Sequence, residues 1–171
     1  MDPLNAVAGD ICLPDIAHAL ALTCRFKGHC RTFYSVAEHS VRVSRLLDHQ
    51  PGPVALWGLM HDAAEAYLSD VSAPIKARLL VQAAGATMSF AETEERLLAV
   101  IAGALGFPPI DYAAVRGADL TLLATEARDL LAIDAGAWGV VEPPLPDAIT
   151  PWPWQEAERQ FVARFQELSG R

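Results

Sequence analysis

At 171 residues, 52% hydrophobic and 20% charged, the chain is long enough to bury a proper core and is expected to form one globular domain over residues 1–171, not a disordered segment. A net charge of −8 weighs against a nucleic-acid polymer as partner but still admits a local basic pocket for a small phosphate. No apolar run reaches the roughly 18 residues that cross a bilayer. Three cysteines at no zinc-ribbon spacing (Cys12, Cys24, Cys30), with no basic-then-apolar leader, predict reduced thiols in a cytoplasmic protein with no membrane partner.

After an irregular start, Pro14 opens a helix whose apolar residues Ile16, Leu20 and Ala21 recur at helical spacing, with His18 expected to be satisfied or exposed. Residues 24–31 then gather Arg25, Lys27, His29 and Arg31 around Gly28, a local basic excess in an acidic protein that suits a loop approaching a phosphate or a base. Cys24 and Cys30 flank that loop as buried or incidental thiols. Residues 35–48 carry Val36, Val43, Leu46 and Leu47 on one face beside His39, and Pro51-Gly52-Pro53 ends them. A second helix is predicted over residues 54–67, a turn at 69–74, and a further helix starting at Pro74-Ile75-Lys76.

Residues 81–86 are small and weakly patterned and predict a loosening of the chain. Residues 92–105 read as an amphipathic helix with Leu97, Leu98, Ile101 and Leu105 inward and Glu92, Glu94, Glu95 and Arg96 solvated. A long helix is predicted from about 112 to 133, with Leu120, Leu123, Ala127, Leu130 and Leu131 inward, Asp119 beside that face, and Glu126 and Asp129 exposed. Residues 135–153, with five prolines and two tryptophans, predict an ordered packed loop. The last helix, 155–168, is expected to bury Phe161, Val162 and Phe165. No alternating apolar run marks a strand. The fold class is therefore all-α, a single-domain bundle of about six or seven helices.

The chemistry centres on Trp57-Gly58-Leu59-Met60-His61-Asp62-Ala63-Ala64-Glu65, where metal-capable groups occupy positions that a core helix would give to leucine. On a helix, His61 and Glu65 are one turn apart and Asp62 reaches the same side. His39 and Asp119 sit in apolar patterns of their own, so His39, His61, Asp62 and Asp119 form a four-ligand set for a divalent metal, with positions left for water or substrate. Left unpartnered and buried, such groups would each cost several kcal/mol, and one cation satisfies them together. Asp111, Asp129 and Asp134 also compete for the downstream carboxylate. Asp119 is preferred for its Ala-Asp-Leu setting. Glu65 is then free to hold or deprotonate water, and Lys76, Arg116 and Arg25 to neutralise phosphoryl oxygens.

Tyr34-Ser35-Val36-Ala37-Glu38-His39-Ser40, His61-Asp62-Ala63-Ala64-Glu65, Ser69-Asp70-Val71-Ser72-Ala73-Pro74-Ile75-Lys76 and Arg116-Gly117-Ala118-Asp119 together resemble the HD-domain phosphohydrolases, and within them the small 5′-deoxynucleotidase branch. The resemblance spans about residues 16–131. It implies His39, His61, Asp62 and Asp119 as metal ligands, Glu65 as the water-activating residue, Arg25 as a substrate arginine, Asp70 as a contact to the sugar hydroxyl, and Lys76 and Arg116 as basic groups near the phosphate. It further implies one cobalt, manganese or zinc ion per chain, magnesium also being admitted, and a homo-oligomer, dimeric or larger. The sequence departs from the family pattern in having Phe26 where tryptophan often follows the arginine, Ser69 where glycine often precedes the aspartate, and Arg116 for a frequent lysine. The first bears on sugar or base selectivity.

The expected activity is metal-dependent hydrolysis of a small-molecule nucleotide, a deoxynucleoside 5′-monophosphate, releasing phosphate. The same attack on a deoxynucleoside triphosphate would release triphosphate, with Lys27, His29, Arg31, Lys76, Arg78 and Arg116 available to line a longer pocket. A nucleotide-binding module without turnover is a third reading.

Overall fold

The computed structural model describes residues 2–83 and 85–170. Pro14 lies in the first turn of α1 (Leu13–Leu22), which buries Ile16, Ala17, Leu20 and Ala21. Ser35 caps α2 (Val36–Leu46) by accepting the Glu38 N–H at 3.1 Å. Next come α3 (Val54–Met60) and two helices of four residues, α4 (Glu65–Leu68) and α5 (Ala73–Lys76). A Ser89/Glu92 capping box starts α6 (Phe90–Leu105), and Gly106, at φ 75, ends it in the left-handed conformation. α7 (Ala113–Glu126) runs into a π-helical turn (Ala127–Leu131), and α8 (Trp154–Ser169) closes the chain.

The expected all-helical bundle is the observed architecture, with six helices of seven to sixteen residues carrying the core. α2 is its axis, packed on α1, α3, α7 and α8, and α3 also meets α7 and α8. α3 comes close to α2 at Gly58. A Cβ on Gly58 would stand 2.6 Å from Leu47 Cδ1 and 3.1 Å from Ser44 Cα, so only glycine lets these helices come this near. Phe161 and Phe165 of α8 are buried in the core, and Val162 packs partly against it.

Four expectations need correction. Two short strands, β1 (Leu80–Ala83) and β2 (Ala86–Ser89), pair antiparallel where no strand was expected. At four residues each they are too short, and too rich in alanine, to show alternation. The predicted helix over 54–67 breaks after Met60. Backbone N–H groups of Ala63, Glu65 and Ala66 donate to carbonyls three residues back, which tightens the turn around His61 and Asp62. The helix expected from Pro74 is only four residues long. Finally, the buried face of α7 passes through Val115, Leu122, Thr125 and Glu126, while Leu120 and Leu123 are only half-buried. Ala127 and Leu130 of the expected stripe are buried, and α7 packs against both α2 and α3.

The proline-rich segment is ordered and packed, as expected. Glu38, fully buried on α2, accepts from Arg42 with Oε1 and from the Trp152 N–H with Oε2 at 2.8 Å, and Arg42 lies 4.8 Å above the Trp152 ring. None of the described helices is long and apolar enough to cross a membrane.

Candidate metal centre

Three packed elements bring the predicted ligands together. His39 comes from the middle of α2, His61 and Asp62 from the tight turn after α3, and Asp119 from α7. His39 Nε2 and His61 Nε2 face one another at 3.3 Å. Asp62 Oδ2 lies 3.7 Å from the first and 3.4 Å from the second, and Asp119 Oδ1 lies 3.2 Å from His39 Nε2. One ligand atom each from His39, His61 and Asp62 falls within a 4.8 Å span.

The far sides of both rings fix their tautomers. His39 Nδ1 donates to Glu126 Oε1 at 2.7 Å, and His61 Nδ1 donates to the Gly58 carbonyl at 2.8 Å. With protons on both Nδ1 atoms, the two Nε2 atoms stand 3.3 Å apart with Asp62 beside both and Asp119 beside His39. Such a set repels itself unless positive charge stands at its centre. His39 reports that demand: burial and Arg25 oppose its protonation, yet Glu126 and Asp119 push it up to about 9. Burial would raise Asp119, but His39, His61 and Arg25 hold it well below the usual carboxylate range. His39, His61 and Asp62 form a cluster that could hold a metal ion, and Asp119, 3.2 Å from His39 Nε2, lies beside it.

Glu126 was missed in the sequence, where it was expected to be exposed. It is completely buried, with Oε1 on His39 and Oε2 accepting from Arg25 Nη2 at 2.9 Å. Burial would raise its carboxyl, but Arg25 and His39 keep it low. A periodic pattern gives a glutamate on a helix to solvent by default, and nothing local signals partners 87 and 101 residues away. Its position where α7 passes into the π-helical turn fits the tendency of such turns to sit at functional sites. Asp129, also expected exposed, is half-buried and accepts from the Ile149 N–H and from Arg128.

On the open side, Glu65 at the start of α4 is buried, and its Oε2 has no protein partner among the described residues. Burial pushes its carboxyl up to about 9, with Asp62 and Asp70 adding and Lys76 and Arg25 opposing. Lys76 Nζ stands 3.8 Å from Glu65 Oε1 and donates to Glu94 Oε1 at 2.7 Å. Glu94, expected to be solvated, is instead drawn inward by that lysine. With His61, Asp62, Glu65 and Lys76 it lines a cleft of about 190 Å³.

The remaining predicted residues divide. Arg25 is buried beside the cluster, 3.7 Å from Asp62 Oδ2, with its Nε unpartnered among the described residues. Phe26 lies under Arg25 and stacks near Trp138, ring centroids 6.4 Å apart. Asp70 meets Lys27 at 3.5 Å. Arg116 is exposed on α7, and its side chain has no hydrogen-bond or ion-pair partner among the described residues. Ser69, which replaces a frequent glycine of the resembled family, sits at φ 69 and ψ 149, a conformation nearly confined to glycine.

Fold and site together define a mostly helical domain with a His-His-Asp cluster, buried at His39 and half-buried at His61 and Asp62, that could hold a metal ion. No family model matches the chain. Over 163 residues, 94% of its length and 85% of the relative's, it is 42% identical to the uncharacterized protein YfdR of Escherichia coli strain K12. Over 140 residues, 76% of its length and 68% of the relative's, it is 33% identical to the uncharacterized protein RCAP_rcc00048 of Rhodobacter capsulatus. The chain belongs to the YfdR family.

Proposed function

We propose that the protein is a metal-dependent phosphohydrolase that converts deoxynucleoside 5′-monophosphates to deoxynucleosides and phosphate. The observation that carries this reading is the convergence of two Nε2 atoms, 3.3 Å apart, with Asp62 and Asp119, beside a cleft holding the unpartnered carboxylate oxygen of Glu65. The motif resemblance to HD-domain phosphohydrolases supplies the substrate class. His39, His61, Asp62 and Asp119 would hold one divalent ion, cobalt, manganese or zinc suiting the mixed nitrogen and oxygen donors better than magnesium. When bound, it supplies Lewis acidity towards a phosphoryl oxygen and acidifies water.

The chain's own groups do the rest. Glu65 takes the proton of the attacking water, and a carboxyl raised to about 9 is a strong acceptor once ionised. Lys76 at 3.8 Å favours that ionised form. The proton then passes to the 5′ oxygen as the P–O bond breaks, so that water and ester become phosphate and alcohol. Arg25 orients the phosphoryl oxygens, and Asp70 the sugar. A cleft of about 190 Å³ is smaller than the roughly 300–1,000 Å³ that encloses a whole drug-sized ligand. It suits a phosphoryl group, and the aromatic surface of Phe26 and Trp138 beside Arg25 suits a base.

Three of the cations are already matched, Arg25 by Glu126, Lys27 by Asp70 and Lys76 by Glu94, which favours the lower charge of a monophosphate over that of a triphosphate. The test is an assay of the metal-loaded protein against the four deoxynucleoside monophosphates and triphosphates, with ribonucleotides as controls and phosphate resolved from triphosphate. Phosphate from deoxynucleoside monophosphates alone is expected. Triphosphate release would reassign the protein to triphosphohydrolysis, and tight binding without product to the non-catalytic reading. Assembly into a dimer or larger oligomer belongs to the same proposal and is read by light scattering.

A further inference from the structure

The basic loop beside the metal centre is bracketed by two thiols that the proposed chemistry does not use. Cys24 Sγ and Cys30 Sγ, both free and half-buried, lie 3.5 Å apart. The fold holds both ends of the loop. Cys24 forms a β-bridge with Ser35, the Arg25 N–H donates to the Tyr34 carbonyl at 2.9 Å, and the Arg31 N–H donates to the Leu130 carbonyl at 3.0 Å. Between them the chain reverses through Phe26 and Lys27 at φ 54 and Gly28 at φ 79, three successive left-handed residues that fold the loop back on itself. The Cys30 thiol also donates to the Arg25 carbonyl at 3.8 Å, across the base of the reversal.

We infer that Cys24 and Cys30 are a redox modification site, forming a reversible disulfide that closes the loop of residues 25–29 over its own base. A disulfide needs the sulfurs at about 2.05 Å, a closure of roughly 1.5 Å from their present contact that side-chain rotation can supply. The oxidant is a low-molecular-weight disulfide such as oxidised glutathione. One cysteine thiolate attacks it, releasing one reduced thiol and leaving a mixed disulfide. The second thiolate then attacks the protein sulfur of that mixed disulfide, forming the Cys24–Cys30 bond and releasing a second reduced thiol. The two protons lost by the protein end on the two released thiols. Burial and the adjoining Cys24 sulfur raise the Cys30 thiol, so exchange quickens as pH rises. The loop carries Arg25, which meets Glu126 and Asp62, and Lys27, which meets Asp70, so the bond would fix the cations that pair with these carboxylates.

The experiment equilibrates the full chain with mixtures of reduced and oxidised glutathione, quenches with acid, alkylates under denaturing conditions and reads the intact mass. Of three alkylatable thiols, two are expected to be lost with two hydrogens as the mixture becomes oxidising, and to return on reduction. Trypsin cutting after Arg25, Lys27 and Arg31 should leave residues 28–31 joined to the peptide ending at Arg25. Cys12→Ser is expected to keep the loss and Cys24→Ser to abolish it. Three alkylated thiols throughout, or glutathione adducts that do not resolve, would overturn the assignment, as would a bond to Cys12. Amide exchange over residues 25–29 is expected to slow in the oxidised form, and unchanged exchange would overturn the closing of the loop. None of these readouts involves nucleotide turnover, so their failure and that of the hydrolase reading are separate results.

Discussion

The two halves of the site are built differently. The metal half rests on α2, α3 and α7, its imidazoles shielded from solvent and each fixed on its far side, His39 by Glu126 and His61 by Gly58. The half proposed to meet substrate rests on short elements: the left-handed loop at Phe26 and Lys27, Ser69 at a glycine-like conformation, and the four-residue α4 and α5. The contrast locates rigidity where ligand geometry must not vary and leaves the less supported backbone where different substrates would be told apart.

Removing the buried support of the metal half should cost most. Glu126→Ala leaves His39 Nδ1 unpaired in the interior and Arg25 with only the more distant Asp62, 3.7 Å away, and a loss of about 3–5 kcal/mol is expected in urea unfolding, with metal affinity falling by about 10–100-fold. Wild-type stability and affinity in this variant would show that Glu126 supports neither group.

Metal itself should act on the same half. At 100 times its Kd, a divalent ion is expected to stabilise the fold by about 2.7 kcal/mol, read as a rise in Tm that a chelator reverses. His61→Ala should abolish that rise; a rise that survives places the ion elsewhere.

A smaller loss is expected from Gly58→Ala, whose methyl group would press on Leu47 and Ser44 where α3 meets α2. Overpacking of this kind costs about 1–3 kcal/mol. Because the Gly58 carbonyl also holds His61, metal affinity should fall with stability. A neutral variant would mean the helices part freely.

On the substrate half the sign should reverse. Ser69→Gly relieves a backbone cost of about 1–3 kcal/mol against the extra chain entropy of glycine, about 0.5–1 kcal/mol, and a net gain of about 1 kcal/mol is expected in thermal unfolding. If Ser69→Gly destabilises, the serine is held by contacts that outweigh its strain.

The smallest effect lies outside both halves, where Arg128 and the Ile149 N–H bind Asp129 beneath the proline-rich segment. Arg128 chiefly holds the Asp129 carboxyl below its usual value, burial opposing. Its folded pKa being depressed, the stabilisation is present above the unfolded value of about 3.9 and is lost as pH falls through the lower folded value. Asp129→Asn should flatten that acid limb of the stability curve. An unchanged limb assigns it to other carboxylates.

The legible part of the fold followed from periodicity. α1, α2, α6 and α8 lie close to their predicted spans because each shows an apolar face at helical spacing with a cap, proline or glycine at an end. Elements of four residues left no such trace, so the strand pair and the brevity of α4 and α5 were invisible. His39, His61, Asp62 and Asp119 stood out because each interrupts an apolar pattern, and polar groups in such places need partners. Glu126 and Glu94 interrupt nothing. Their sequence environment is that of any helical glutamate, and only the packing of α7 on α2, and of α6 beside α5, turns one towards His39 and Arg25 and the other towards Lys76. By itself the sequence determined the helical class and singled out His39, His61 and Asp62, which cluster where a metal ion could be held, because those are local properties of pattern and chemistry. Which carboxylates face inward, which cations remain unpaired and how the turn at His61 tightens were decided by contacts between elements far apart in the chain, which only the tertiary structure brings together.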